Sequence, residues 1–303
     1  MSTLESQDAR PVLVATDFSP PADEAIRQAE AWARRRRVEL SAMHVAFQFL
    51  PMHPLFPQRN QRDISDLVTL ESKLAQELSD RVVELTERPS DEFAVDVDFG
   101  EPYAAIVKRA EETDAGLVVV GSTGATELER VPLGSVAEKV LRYAHCSVLV
   151  ARALPGSGVV LVASDLSDPA QPAVEAAARE SRARGARLVV FHEIEPWSSL
   201  PDGLGVLGPL PPEPDVRTLE QLRQGVKEIL EGQLGRFGVQ GEVRVATTGD
   251  PASAIARAAE EEHADLVVVA NRGRTGLARL ALGSVAETVV RRAHCSVLAV
   301  RAP

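Results

Sequence analysis

Val12-Leu-Val-Ala-Thr-Asp17-Phe-Ser19 decides the fold, because it returns as Val160-Leu-Val-Ala-Ser-Asp165-Leu-Ser167. Each is a short apolar, β-branched run ending in a small polar residue, the signature of a strand buried on both faces. Working outward, Leu117-Val-Val-Val120 returns as Leu266-Val-Val-Val269, and Gly134-Ser-Val-Ala-Glu138 as Gly283-Ser-Val-Ala-Glu287. Ala144-His-Cys-Ser-Val-Leu149 returns as Ala293-His-Cys-Ser-Val-Leu298. The offset is nearly constant, so one domain is written twice. Leu154-Pro-Gly-Ser-Gly158 is the turn-forming seam, which predicts domains over 1–153 and 154–303.

Within each copy, strand runs alternate with helix patterns. In the first, strands are expected over 12–16, 39–46, 94–99, 117–120 and 147–151. Helices are expected from Ser19-Pro20, over 66–88, over 102–112 and over 135–143. The second copy repeats this order, with Gly185 closing its first helix. Alternation with doubly buried strands means a parallel sheet covered on both faces. The predicted class is α/β: two tandem doubly wound, Rossmann-like domains, each a five-stranded parallel sheet with helices on both faces. Such sheets bind ligands beyond the carboxyl ends of their strands.

Composition narrows the function. The 303 residues are 45% hydrophobic and 25% charged, an ordinary globular balance, with only 4% aromatics, so the cores are aliphatic. Thirty-three Lys and Arg against 44 Asp and Glu leave a net charge of −11, which argues against a broad nucleic-acid surface. Two cysteines exclude a disulfide framework and fit a reducing, cytoplasmic setting. No leader pattern and no apolar run of about 18 residues points to a membrane.

The fourth strand-to-helix loop carries the strongest chemical signal. Gly121-Ser-Thr-Gly124 is followed by nine residues and then Gly134-Ser135-Val136; Ala270-Asn-Arg-Gly273 is followed by nine and then Gly283-Ser284-Val285. Glycine lets backbone approach closely, and a helix N-terminus offers unpaired N–H groups with positive dipole potential. Such glycines serve either to pack a helix tightly on a strand or to cradle a phosphate. Their recurrence at the ligand-binding edge of both copies points to a site.

The pattern Gly-x2-Gly-x9-Gly-Ser resembles the nucleotide-binding signature of the universal stress protein family. Val12 to Ser19, Ser147-Val-Leu-Val-Ala-Arg152, Gly100-Glu-Pro102 and Gly249-Asp-Pro251 are similar to other parts of the family's unit. The resemblance covers the chain twice and implies a tandem member with the adenine nucleotide alpha hydrolase-like fold. It implies a stress-response role, with ATP or another adenine nucleotide, with or without Mg, in each half. Asp17 and Asp165 then lie beside the nucleotide, and the backbone of Val45 and Glu193, after His44 and His192, holds the adenine. Gly121, Gly124, Gly134, Ser135 and Val136, with Ala270, Gly273, Gly283, Ser284 and Val285, hold the phosphates. Ala270 stands where the motif has glycine, and its methyl is either tolerated or blocks the backbone's approach; Arg272 and Arg274 offer compensating charges. The resemblance also implies pseudo-symmetric pairing of the halves through 147–151 and 296–300, a homodimer, and a regulatory protein partner.

Other candidates weigh less. Gly203-Leu-Gly205-Val-Leu-Gly208 matches a dinucleotide fingerprint but lies in the proline-rich insert 196–214, without the strand and helix that motif requires. That insert and 47–62 read as lids, partner surfaces or tolerated insertions. His145-Cys146 and His294-Cys295 read as structural, with no metal site. His44 and His192 are expected to be satisfied by the neighbouring loop. With no Walker lysine, no nucleophile elbow and no evident base, no catalytic residues are assigned, and any ATP hydrolysis would be slow. Three functions stay open: a nucleotide-dependent regulator, a slow ATPase, and a nucleotide-free scaffold. Arg34 to Arg37 reads as a solvated helix end.

Overall fold

The computed structural model describes residues 9–46, 60–124, 133–153, 155–194, 214–271 and 282–301, with the side chains of 60–67 left aside. The chain divides into two compact units, Met1–Arg152 and Ala153–Pro303. The first runs β1 (Val12–Thr16), α1 (Pro20–Arg36), β2 (Leu40–Ala46), α2 (Asn60–Thr86), β3 (Ala94–Phe99), α3 (Pro102–Glu112), β4 (Leu117–Gly121), α4 (Ser135–Tyr143) and β5 (Ser147–Ala151). The second runs β6 (Val159–Ala163), a 3-10 turn (Asp168–Ala170), α5 (Gln171–Arg184), β7 (Arg187–Glu193), α6 (Val216–Arg236), β8 (Glu242–Ala246), α7 (Pro251–Glu261), β9 (Leu266–Ala270), α8 (Ser284–Arg292) and β10 (Ser296–Val300).

Strand order is β3-β2-β1-β4-β5 in the first unit and β8-β7-β6-β9-β10 in the second, with parallel neighbours. The chain winds outward from β1 to β3 and then returns to β4. The carboxyl ends of β1 and β4, and of β6 and β9, are therefore topological switch points. Every residue of β1 is buried, as the unbroken apolar run requires. Helices α1 and α2 pack together against the sheet, and α3 packs with α4, giving the predicted doubly wound layers.

Local chemistry explains the helix limits. Ser19 caps α1, its Oγ accepting the Ala22 N–H at 3.4 Å, with prolines in the first turn. The arginine run closes that helix as expected. Arg34 pairs with Glu30, Arg36 lies 3.9 Å over the Trp32 ring, and Arg37 takes the left-handed C-cap at φ 56°. In the second unit Gly185 fills that role at φ 64°. Two expectations need adjustment. Helix α2 begins at Asn60, six residues before the expected 66, because Asn60-Gln-Arg-Asp63 carries no apolar periodicity to announce a helix. The second copy also departs from the first at its opening helix: a 3-10 turn precedes α5, which begins three positions later than α1 does.

Asp265 closes the segment that leads into β6. Its Oδ1 accepts the N–H groups of Gly156 (2.7 Å) and Ser157 (3.1 Å), and its Oδ2 accepts that of Gly158 (2.8 Å). Gly156 and Gly158 sit at φ 78° and 71°, where a side chain is costly. Asp265→Ala leaves three backbone donors without their acceptor and is expected to cost about 3 kcal/mol. Asp265→Asn, which keeps one acceptor, should cost roughly half of that. Urea unfolding measures both, and a loss below about 1 kcal/mol for the alanine variant would contradict this role.

Candidate functional site

The residues after β1 form a strained turn at the switch point. Phe18 adopts φ 62°, rare for a bulky side chain, and Leu166 repeats it at φ 63°. Flanking side chains hold the conformation. Thr16 Oγ1 accepts the Phe18 N–H (3.0 Å) and Asp17 Oδ1 that of Ser19 (3.1 Å). Ser164 Oγ and Asp165 Oδ1 do the same for Leu166 and Ser167. Strain of this kind persists only where surrounding bonds over-determine it, and both copies hold it with the same pair of side-chain acceptors. The internal repeat shows these residues recurring, but nothing in it signals their backbone.

Across the crevice, the Gly-rich loop meets this turn. A Cβ placed on Gly124 would lie 2.9 Å from Asp17 Oδ2, so the Asp17 carboxylate and Gly124 are brought together. Gly121 is different. A Cβ there would lie 2.9 Å from Pro21 C and 3.0 Å from Ala22 N, so this glycine admits the first turn of α1. Its immediate contact is packing. Beyond the loop, the Gly134 N–H donates to Ser122 O (2.7 Å) and the Gly283 N–H to Asn271 O (2.9 Å), tying each helix start back to its strand end. Gly134 and Gly283 are the N-caps of α4 and α8, so no cap side chain satisfies the first N–H groups. Ser135 and Ser284 follow, both exposed, with Val136 half-buried and Val285 exposed. Gly273, Arg272, Arg274 and the Gly203–Gly208 motif lie outside the described residues, as do 47–59 and 195–213.

On the other side of β1, His44 Nδ1–H donates to the Thr16 carbonyl (2.8 Å), and His192 Nδ1–H to that of Ser164 (2.7 Å). The partner is thus a strand end, because β1 and β2 run in parallel register with Thr16 opposite His44. Phe18 packs on the His44 ring, with centroids 4.7 Å apart. Val45 is half-buried in β2, whereas its counterpart Glu193 is a buried carboxylate. Glu193 Oε1 accepts the N–H groups of Thr248 and Gly249 (2.8 Å to Gly249) and the Thr248 hydroxyl (2.9 Å). Sequence reading placed Glu193 here for its backbone and missed its side chain.

Cys146 and Cys295 are buried and not joined in a disulfide, and no group of three His, Cys, Asp or Glu among the described residues could hold a metal. No described helix is long and apolar enough to cross a membrane.

At the next strand-to-helix turn, Asp250 caps α7. The Ser253 hydroxyl donates to its carboxylate, which holds its pKa below the ordinary 3.8, with the Arg292 charge assisting. A depressed folded-state pKa stabilises above the unfolded value and is lost as pH falls through the folded one. The stability gap between wild type and Asp250→Asn should therefore be full at neutral pH and close progressively below about pH 4. Urea unfolding from pH 7 to pH 2 checks it; a gap independent of pH would contradict it.

Two parallel five-stranded units of this winding, each with helices on its sheet, define a tandem doubly wound α/β protein. The chain belongs to the universal stress protein family, whose model matches residues 9–152 and 157–301. It is 29% identical over 305 residues to a universal stress protein of Mycobacterium tuberculosis, covering 96% of each chain. It is 39% identical over 142 residues to one of Thermus aquaticus, covering 47% of this chain and 97% of that one. The crystal structure of a universal stress protein from Archaeoglobus fulgidus shares the fold, with a TM-score of 0.68, 21% identity, and coverage of 97% and 98%.

Proposed function

We propose that each half binds an adenine nucleotide, ATP in the first instance, and that the bound nucleotide sets a conformation read by a regulatory partner in the stress response. The observation that carries this is the meeting of Asp17 with Gly124 at the switch point, beside a helix start capped only by glycine. The helix dipole, and first-turn N–H groups that no cap side chain takes, suit phosphates at the starts of α4 (Gly134, Ser135, Val136) and α8 (Gly283, Ser284, Val285). Asp17 and Asp165 then lie beside the nucleotide, and the ends of β2 and β7, at Val45 and Glu193, lie on its base side. Magnesium would arrive with the nucleotide, since the described residues offer no cluster to hold it alone.

Equilibrium dialysis of the purified protein with ATP tests the reading. Two nucleotides per chain are expected. No measurable binding at millimolar ATP would overturn it. Mass analysis of small molecules released on denaturing freshly purified protein should then identify the nucleotide carried from the cell.

A further inference from the structure

The two sites differ in one respect that the repeat hides. In the second half, Glu193 Oε2 and Asn271 Oδ1 are buried acceptors with no hydrogen-bond partner among the described residues. Their counterparts in the first half are Val45 and Ser122, and no such orphan stands at either position there. Buried acceptors are almost always paired, so an orphan at the carboxyl edge of the sheet calls for a donor that the described residues do not supply. Glu193 is only 8% exposed, and Asn271 5%.

The placement of Glu193 sets what that donor belongs to. Oε1 is fully used, holding Thr248 and Gly249 at the turn that opens α7. This fixes the carboxylate at the carboxyl edge of β7. Strand order places β6 between β7 and β9, so Glu193 stands two strand spacings, roughly 10 Å, from the end of β9 and the nearby start of α8. A nucleoside bridges that length. Phosphate is attracted to the α8 start and repelled by a carboxylate, so the ligand's donor-bearing end faces Glu193.

Resting on the nucleotide reading above, we infer that Glu193 is the specificity residue of the second half, its Oε2 accepting from the exocyclic amino group of the nucleobase. The second half therefore selects amino-bearing bases by a side chain, which the first half, with Val45, does not do. A site built to hydrogen-bond an amino group rejects the analogue that lacks it, because its own acceptor is then left buried and unpaired.

The test compares ATP with inosine triphosphate, which carries a carbonyl in place of the amino group. Gly124→Leu removes the first site, so binding to the full chain reports on the second. In that background ATP is expected to bind about tenfold or more tighter than inosine triphosphate. Glu193→Gln is the decisive change. Its amide oxygen still accepts from Thr248 and Gly249, while its NH₂ replaces Oε2 with a donor, so the preference should invert toward inosine triphosphate. Glu193→Val should leave the two within about threefold. If the valine variant fails to fold, the glutamine variant decides alone; unchanged binding to the intact first half, measured without the Gly124 substitution, certifies its fold. An unaltered ATP preference in Glu193→Gln would overturn the inference, and so would a Gly124→Leu protein that binds neither nucleotide while the wild type binds one. A wild type that binds no nucleotide would instead overturn the underlying reading, and this inference with it.

Discussion

Gly124→Leu is expected to lower the nucleotide stoichiometry from two per chain to one, with little change in stability. The contact at this position explains both halves of that result. Among the described residues, chain neighbours aside, a Cβ on Gly124 meets only the tip of the Asp17 side chain, at 2.9 Å. A carboxylate tip yields more readily than backbone, so folding tolerates the added group at a cost of about 1 kcal/mol or less. The site tolerates it less well. The isobutyl group starts where Asp17 faces the Gly-rich loop, beside the start of α4, and a phosphate cannot share that space. Gly124→Ala should weaken binding by a smaller factor, giving a graded series. Calorimetric titration with ATP measures both, and an unchanged stoichiometry in Gly124→Leu would show that the nucleotide has been placed wrongly.

Gly121→Val has the opposite profile, and is expected to destabilise the first unit by about 3 kcal/mol. Here the added Cβ meets backbone atoms: Pro21 C and O and Ala22 N, all at 2.9–3.0 Å. Neither can rotate away, because Ser19 and the prolines fix the first turn of α1. The helix must shift as a body or lose its contact with β4. The second unit shows the other solution. Ala270 carries the methyl group naturally, and the turn packed against β9 is wound as a 3-10 helix over Asp168–Ala170, with α5 starting only at Gln171. Ala270→Gly is therefore expected to change stability by about 1 kcal/mol or less. Urea unfolding followed by probes in each unit separates the two effects. A Gly121→Val protein within 1 kcal/mol of wild type would refute the packing role.

Together these variants divide a motif that reads as one unit in the sequence. Gly121 and Gly124 are three residues apart in the same loop, yet one faces a helix backbone and the other faces the candidate site. Nothing local distinguishes them, because both are glycines with ordinary backbone angles. The difference lies in what the distant residues 17 and 21–22 bring to each.

The fold was legible because its signals are local and repeated. Doubly buried strands appear as unbroken aliphatic runs, and Ser19 and Gly185 cap helices by chemistry that acts within four residues. Of the candidate residues read from the sequence, Gly124 lies against Asp17, and Gly134 is tied to Ser122 just beyond β4. Glu193 was legible only as a position. Its carboxylate acquires a role when parallel pairing of β7 with β8 sets it beside Thr248 and Gly249, 55 and 56 residues further along the chain. The Asp265 clamp on residues 156–158 spans more than a hundred residues and left no trace in local pattern.

By itself, then, the sequence determined that one α/β unit is written twice, since hydrophobic period and helix caps are short-range and survive duplication. Only the tertiary structure decided that the two copies are not equivalent. The substitutions that separate them, Val45 against Glu193, Ser122 against Asn271 and Gly121 against Ala270, take their meaning from partners that the chain's winding brings close. Whether a carboxylate is paired or a methyl group has room is a property of those neighbours, and no run of residues around the substitution contains it.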